Sequence, residues 1–402
     1  MSTPSAQPAT RSQDAAVIGL VALAHGLSHF FQFATAPLFP LMKEEFGISY
    51  VALGLVVAVY FATSALLQPI AGIVVDRYGG RTGLICGMAL VSLGTLVTAL
   101  AGSYGMLMAG AVLAGLGNSV FHPADFFILN HRVSESRLGH AFSIHGVAGS
   151  LGFAAAPLFI GTLGGFSGWR SALMAASVAG FAMLAILVAN AGRLQGARAA
   201  GKQDRKALDL KVLFAAPVVL CFLYFCIYAA GWAGIQSFSV SALALQFGVG
   251  TTFAAVALTC YMVGSAAGML AGGFIAVRTT RHAGVAACGL AGSAATMLLV
   301  AIGAVPAAAI PVAFAFAGFS AGCTAPSRDL IIRASTPAGA TGRVYGFVYS
   351  GLDVGSLATP VFYGWLMDHR LPHGVFFAIS AFTGLAMLTV LNLPGKTRRA
   401  AA

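Results

Sequence analysis

The chain has 402 residues, 58% of them hydrophobic and only 8% charged, with a formal net charge of +11. An ordinary soluble domain carries roughly 25% charged residues, so this composition excludes a soluble globular protein and indicates a chain that crosses a membrane many times. The apolar runs are Gly- and Ala-rich and long enough to cross as helices; they lack the short alternating segments of a membrane β-barrel. The basic residues are scattered singly through loops, so no nucleic-acid partner is expected.

In chain order, the polar start from Met1 to Asp14 has one Arg and no cleavage signature, and the first apolar segment reads as a retained helix. The apolar runs then give six expected helices at 16–41, 51–75, 82–101, 105–130, 139–165 and 170–191. Six more follow at 212–242, 250–277, 283–303, 307–332, 342–367 and 373–393. The expectation is an all-α membrane protein of twelve helices with both termini on one side. If that side is the cytoplasm, 18 Lys and Arg residues fall in cytoplasmic segments, and only Lys43, Arg170 and Arg370 lie in loops outside. The positive-inside rule thus predicts cytoplasmic termini and, for a bacterial-type chain, the inner membrane. The six cysteines (Cys86, Cys221, Cys226, Cys260, Cys288 and Cys323) lie in apolar segments without metal-site spacing; packing is expected of them, and no metal or cofactor.

The longest polar stretch, Arg193 to Lys211, divides the chain. The expected organisation is a tail at 1–15, a six-helix bundle at 16–192, a cytoplasmic linker at 193–211, a second bundle at 212–394 and a tail at 395–402. The bundles repeat: Gly139, Gly152, Pro157, Phe159 and Gly161 correspond to Gly342, Gly355, Pro360, Phe362 and Gly364 at a constant offset of 203. "AGLGNSVFHPAD" and "AGFSAGCTAPSRD" echo each other more loosely. Duplicated six-helix halves predict a transporter with its site between them.

The loop "GIVVDRYGGR", with Gly72, Asp76, Arg77, Gly79 and Arg81, resembles the signature loop of the major facilitator superfamily. In the second half the same loop is degenerate, with Ala276 where the acid would be. Gly146, Gly149, Gly152 and Pro157 resemble the glycine-proline motif of superfamily exporters, with Ala156 in place of the usual Gly. "AHGLSHFF" and "GLGNSVFHPAD" are similar to the fosmidomycin-resistance type of drug exporter, although Asp125 follows Ala124 instead of standing directly after the Pro. The resemblance implies two pseudo-symmetric six-helix bundles, a conformational latch in the loop, a hinge or packing role for the glycines, and a protein acting as a monomer.

Ionisable side chains inside a membrane segment are costly and mark candidate sites. His25 and His29, one turn apart, are expected about 13 to 20 Å into the first helix, near the midplane. With Gln32, Gln236 and Asp353 they form the expected central cavity for substrate or proton coupling. Histidine changes charge near neutral pH, and a histidine pair facing a buried carboxylate suits proton loading and release. His122, Asp125, His145, Arg328 and Asp329 are expected nearer the cytoplasmic mouth, as a polar network or gate. Asp329, adjacent to Arg328 on a helix, is not expected to pair with it. No nucleophile pair, paired-aspartate spacing or phosphate-binding loop occurs, so neither an enzyme nor an ATP-driven pump is expected. The reading is a proton-coupled secondary transporter exporting a small organic compound. The alternative is proton-coupled uptake of an organic anion anchored by Arg328.

Overall fold

The computed structural model describes residues 11–195, 213–335 and 341–392. The expected tails up to residue 10 and from 395, and the linker from 196 to 211, lie outside the described residues.

Fourteen α-helices follow one another with no strand among the described residues. The first half holds α1 (Arg11–Phe33), α2 (Phe39–Phe46), α3 (Tyr50–Tyr78), α4 (Gly80–Ala99), α5 (Tyr104–Arg132), α6 (Glu135–Ser167) and α7 (Trp169–Ala189). The second holds α8 (Ala216–Phe247), α9 (Thr251–Arg278), α10 (His282–Ala301), α11 (Ile310–Gly322), α12 (Thr324–Ser335), α13 (Thr341–Asp368) and α14 (Pro372–Leu391). Eleven spans are long and apolar enough to cross a membrane. The 28-residue α13 stands where the eleventh expected segment lies, which completes twelve.

Two expected segments are broken, and proline chemistry accounts for both. The first bends after Phe33 into a 3-10 turn at Ala36–Leu38 and then α2, where Pro37 and Pro40 remove backbone donors. The tenth breaks between α11 and α12 at Cys323. Pro326 there leaves the carbonyl of Gly322 without its partner one turn on. Pro123, Pro157 and Pro360 are instead carried inside continuous helices.

The repeated glycines explain how the halves are built. A Cβ at Gly152 would strike the backbone of Gly26 on α1, and one at Gly355 the backbone of Cys226 on α8. Each glycine lets two helices of its own half touch. Nine residues on, about half a turn round the helix, Gly161 faces Ala255 on α9 and Gly364 faces Tyr50 and Val51 on α3. That second pair joins one half to the other. The 203-residue repeat is therefore a packing pattern, with one face of α6 and α13 turned inward and the opposite face turned to the other half.

We call the end where α1 starts the near end and its opposite the far end. The far end is closed. The Asp368 carboxylate, at the end of α13, accepts hydrogen bonds from the amides of Tyr50 (2.7 Å) and Val51 (2.9 Å) at the start of α3. Lys43 adds an ion pair to the same carboxylate at 3.3 Å. Gly54 abuts the carbonyl of Pro360 nearby. A carboxylate on the exposed amides of a helix N-terminus is favoured by both hydrogen bonding and the helix dipole. Within the first half, Glu45 binds Trp169 (2.5 Å) and Arg170.

Candidate functional site

Between the halves lies a cavity of about 340 Å3, within the range of small-molecule sites. The first half contributes His29, Gln32, His122, Ser150 and Phe153 to its wall. The second contributes Tyr228, Trp232, Gln236, Met262, Arg328 and Asp353. Aromatic rings meet across the divide, with Trp232 6.3 Å from Phe33 and 6.4 Å from Phe153. Among the described residues the wall combines flat apolar surface, amides, one permanent cation and one carboxylate. That set suits a small amphiphilic compound bearing a polar or anionic group.

Asp353 faces this cavity from α13, with no hydrogen-bond or ion-pair partner among the described residues. Gln32 and Gln236 share the cavity with it. Arg328 lies over the ring of Phe225 at 4.9 Å and donates from Nε to Asp329 Oδ1 at 3.0 Å. The expectation that adjacent residues on a helix cannot pair is thus corrected. The guanidinium sits on a long flexible stem, so it reaches a neighbour that a short side chain would miss. Asp329 also accepts from the Tyr349 hydroxyl at 3.2 Å.

The histidines and Asp125, which depth along the helices assigns to two levels, form one cluster. Asp125 on α5 has no solvent exposure. Its Oδ2 lies 3.0 Å from His25 Nδ1 and 3.1 Å from His145 Nε2. The rings of His25 and His145 stack with centroids 3.5 Å apart. His29 is 4.3 Å and His122 5.2 Å from the His25 ring, centroid to centroid. Gly149 makes room: a Cβ there would fall about 3 Å from both His29 Nδ1 (2.9 Å) and His25 Nε2 (3.0 Å). The one-turn pair therefore divides its duties, since His29 lines the cavity while His25 turns to Asp125. Counting residues from helix ends missed this convergence, because α1 begins at Arg11, five residues before the expected start, and contributions from three helices meet only in space.

The loop and hinge glycines have distinct surroundings. Gly79 takes φ +88° and its amide bonds Val75 O at 2.7 Å, a turn that suits glycine. Gly80 lies against the backbone of Ala124, so α4 and α5 approach closely. Arg81 bonds the Gln195 side chain at 3.3 Å, and Arg77 stacks on Tyr78 at 5.4 Å. The Asp76 side chain lies outside the described residues. Gly72 and Gly146 face open space, unlike Gly149 and Gly152. Sequence reasoning missed Asp368 as the clasp between halves; its signal was a lone acid at the end of an apolar helix in "WLMDHR".

Two like helical halves around a central polar cavity define a secondary-transporter architecture. The chain belongs to the Major Facilitator Superfamily, whose family profile matches residues 21–241 and 220–401. It is 28% identical over 264 residues to the fosmidomycin resistance protein of Escherichia coli (strain K12), a match covering 64% of each chain. It is 29% identical over 126 residues to a multidrug resistance protein B homolog of Mycobacterium tuberculosis (strain ATCC 25618 / H37Rv), covering 31% of this chain and 23% of that protein. The matches thus span less than two thirds of these relatives' length. A bacterial homolog of the human lysosomal transporter Spinster, solved in an inward-facing and occupied conformation, shares the fold. Its TM-score is 0.77 at 17% identity, over 96% of this chain and 95% of that one.

Proposed function

We propose that this transporter exports small organic compounds across the bacterial inner membrane by alternating access, driven by inward proton movement, with both termini in the cytoplasm. The observation that carries the reading is the cavity between the halves, whose wall holds an unpartnered carboxylate, Asp353, together with the cation Arg328 and aromatic rings. A carboxylate that faces a cavity without a fixed counter-ion is suited to taking a proton on one side of the membrane and giving it up on the other. In the proposed cycle Asp353 is protonated while the cavity faces outward and deprotonates when it faces inward. Substrate then binds from the cytoplasm. Each proton moving down the membrane potential supplies about 2.3 kcal/mol per 100 mV. Export is supported by the drug-resistance names of the relatives, and the orientation by the 18 cationic residues expected on one side. The chain acts on a small molecule and protons, as a monomer in the bilayer, with no enzymatic step.

Arg328 favours a second reading, proton-coupled uptake of an organic anion. One experiment separates them. Purified protein in liposomes enclosing a pH-sensitive dye is screened with organic anions, chelators and phosphonates for substrate-dependent proton movement. Export predicts proton movement opposite in direction to the substrate, and loss of the signal in Asp353→Asn. Movement in the same direction supports uptake. Substrate flux without any proton movement contradicts both.

A further inference from the structure

We infer that His25, Asp125 and His145 form a buried site for one divalent transition-metal ion of the zinc class, with His29 and His122 beside it on the cavity wall. The donor atoms of these three residues lie within 4.8 Å of one another, and all three side chains are buried. Imidazole nitrogens and a carboxylate oxygen are the donor set that zinc prefers when thiolates are absent. Around a tetrahedral ion with bonds of about 2.0–2.2 Å, ligand atoms stand roughly 3.4 Å apart. The separations of 3.0 and 3.1 Å from Asp125 Oδ2 to the two histidines already approach that spacing.

Two further observations point to a bound cation. Asp125 Oδ1 is buried with no hydrogen-bond partner among the described residues. Such orphaned acceptors are rare in native interiors and call for a partner. Secondly, among the described residues Asp125 pairs with no Lys or Arg; its charge is met by histidines alone. His25 and His145 are stacked face to face at 3.5 Å, an arrangement in which two imidazolium rings would repel each other strongly. Neutral imidazoles keep a lone pair for a metal, and one divalent ion answers the carboxylate without charging either ring. His29 and His122 line the cavity and stand 4.3 and 5.2 Å from the His25 ring, so the site adjoins the cavity wall. The ion would tie α1, α5 and α6 into one unit at the wall of the transport path. Spacing along the sequence does not reveal the site, because each helix supplies a single one of these three ligands.

The test uses the full-length protein with its six cysteines replaced, stripped by chelator and then equilibrated with Zn2+. Bound zinc is measured by elemental analysis after buffer exchange, and the ligand shell by X-ray absorption. The inference expects one zinc per chain, held by nitrogen and oxygen ligands with the scattering signature of imidazole. Stoichiometric binding is lost in Asp125→Asn and in the His25→Ala/His145→Ala double variant, and kept in Asp353→Asn. Size-exclusion profiles and melting confirm that the variants fold. If neither cluster variant folds, the wild-type absorption spectrum decides alone. No zinc in the wild type, undiminished zinc in the cluster variants, or a shell without imidazole overturns the inference. Transport activity does not enter the readout, so this result stands apart from the proton-coupling reading.

Discussion

The two walls of the cavity are built on one helical plan but carry different chemistry. In the first half the polar groups are drawn inward: Asp125 has no exposure and is enclosed by His25 and His145, leaving His29 and His122 at the cavity surface. In the second half the polar groups stay open: Arg328 and Asp353 both line the cavity. The loosely matching segments around Pro123 and Pro326 show the divergence most clearly. α5 runs unbroken through Pro123 and buries Asp125, whereas its counterpart splits into α11 and α12 and leaves Asp329 on the guanidinium of Arg328. Packing is repeated between the halves, and polar function is not. Each half therefore needs its own test.

The largest effect is expected where the repeat is purely steric. Gly152→Val and Gly355→Val each drive a side chain into a neighbouring backbone, and overpacking of this kind costs about 1–3 kcal/mol or more. Both variants are expected to lose most of their folded yield, measured by size-exclusion of a fluorescent fusion. Gly146→Ala, which meets open space on the same helix, is expected to match the wild type. If only one of the two valine variants fails, the halves do not share their packing.

The next effect lies in the open wall. Asp353→Asn is expected to abolish substrate-driven proton movement in liposomes while the purified protein still binds substrate. Arg328→Gln is expected to weaken an anionic substrate by roughly 10- to 100-fold, the value of a hydrogen bond to a charged group, with neutral substrates little affected. Binding titrations with an anionic and a neutral compound read the difference, and equal losses for both would remove the anion-anchor role.

The smallest effect belongs to the clasp at the far end. Asp368→Asn retains the shape but loses the charge on the amides of Tyr50 and Val51 and the pair with Lys43. A capping interaction of this kind contributes about 1 kcal/mol, so the closed far end should become roughly fivefold less favoured. Labelling of a single cysteine placed at Gln236, inside the cavity, from the far side is expected to rise by that factor.

Much of the fold was legible because composition and hydrophobic run length constrain a membrane chain tightly. Twelve membrane segments followed from them; the repeat of Gly152 and Gly355 came from the constant offset between the halves, and the family from the resemblance carried by "GIVVDRYGGR". The breaks at Pro37 and Pro326 were less legible, since Pro123, Pro157 and Pro360 sit in unbroken helices and proline alone does not decide. For the candidate site, the polar residues within the membrane segments were visible one by one, among them His25, Asp125, Arg328 and Asp353. Their grouping was not. Depth along a helix gives one coordinate of three, and the meeting of His25, Asp125 and His145 depends on helix rotation and on the space left by Gly149. Asp368 escaped for the same reason, because its partners are backbone amides some 300 residues away.

Alternating access itself is tested most directly by measuring distances at both ends of one molecule. Spin labels at Ser103 and Ala304 report the far end, and labels at Tyr78 and Thr280 the near end, on a cysteine-free background in lipid. The account predicts that substrate together with a pH gradient lengthens the far-end distance and shortens the near-end distance in the same sample, and that Asp353→Asn suppresses the response to pH. Distances that stay fixed, or that change with the same sign at both ends, would contradict it.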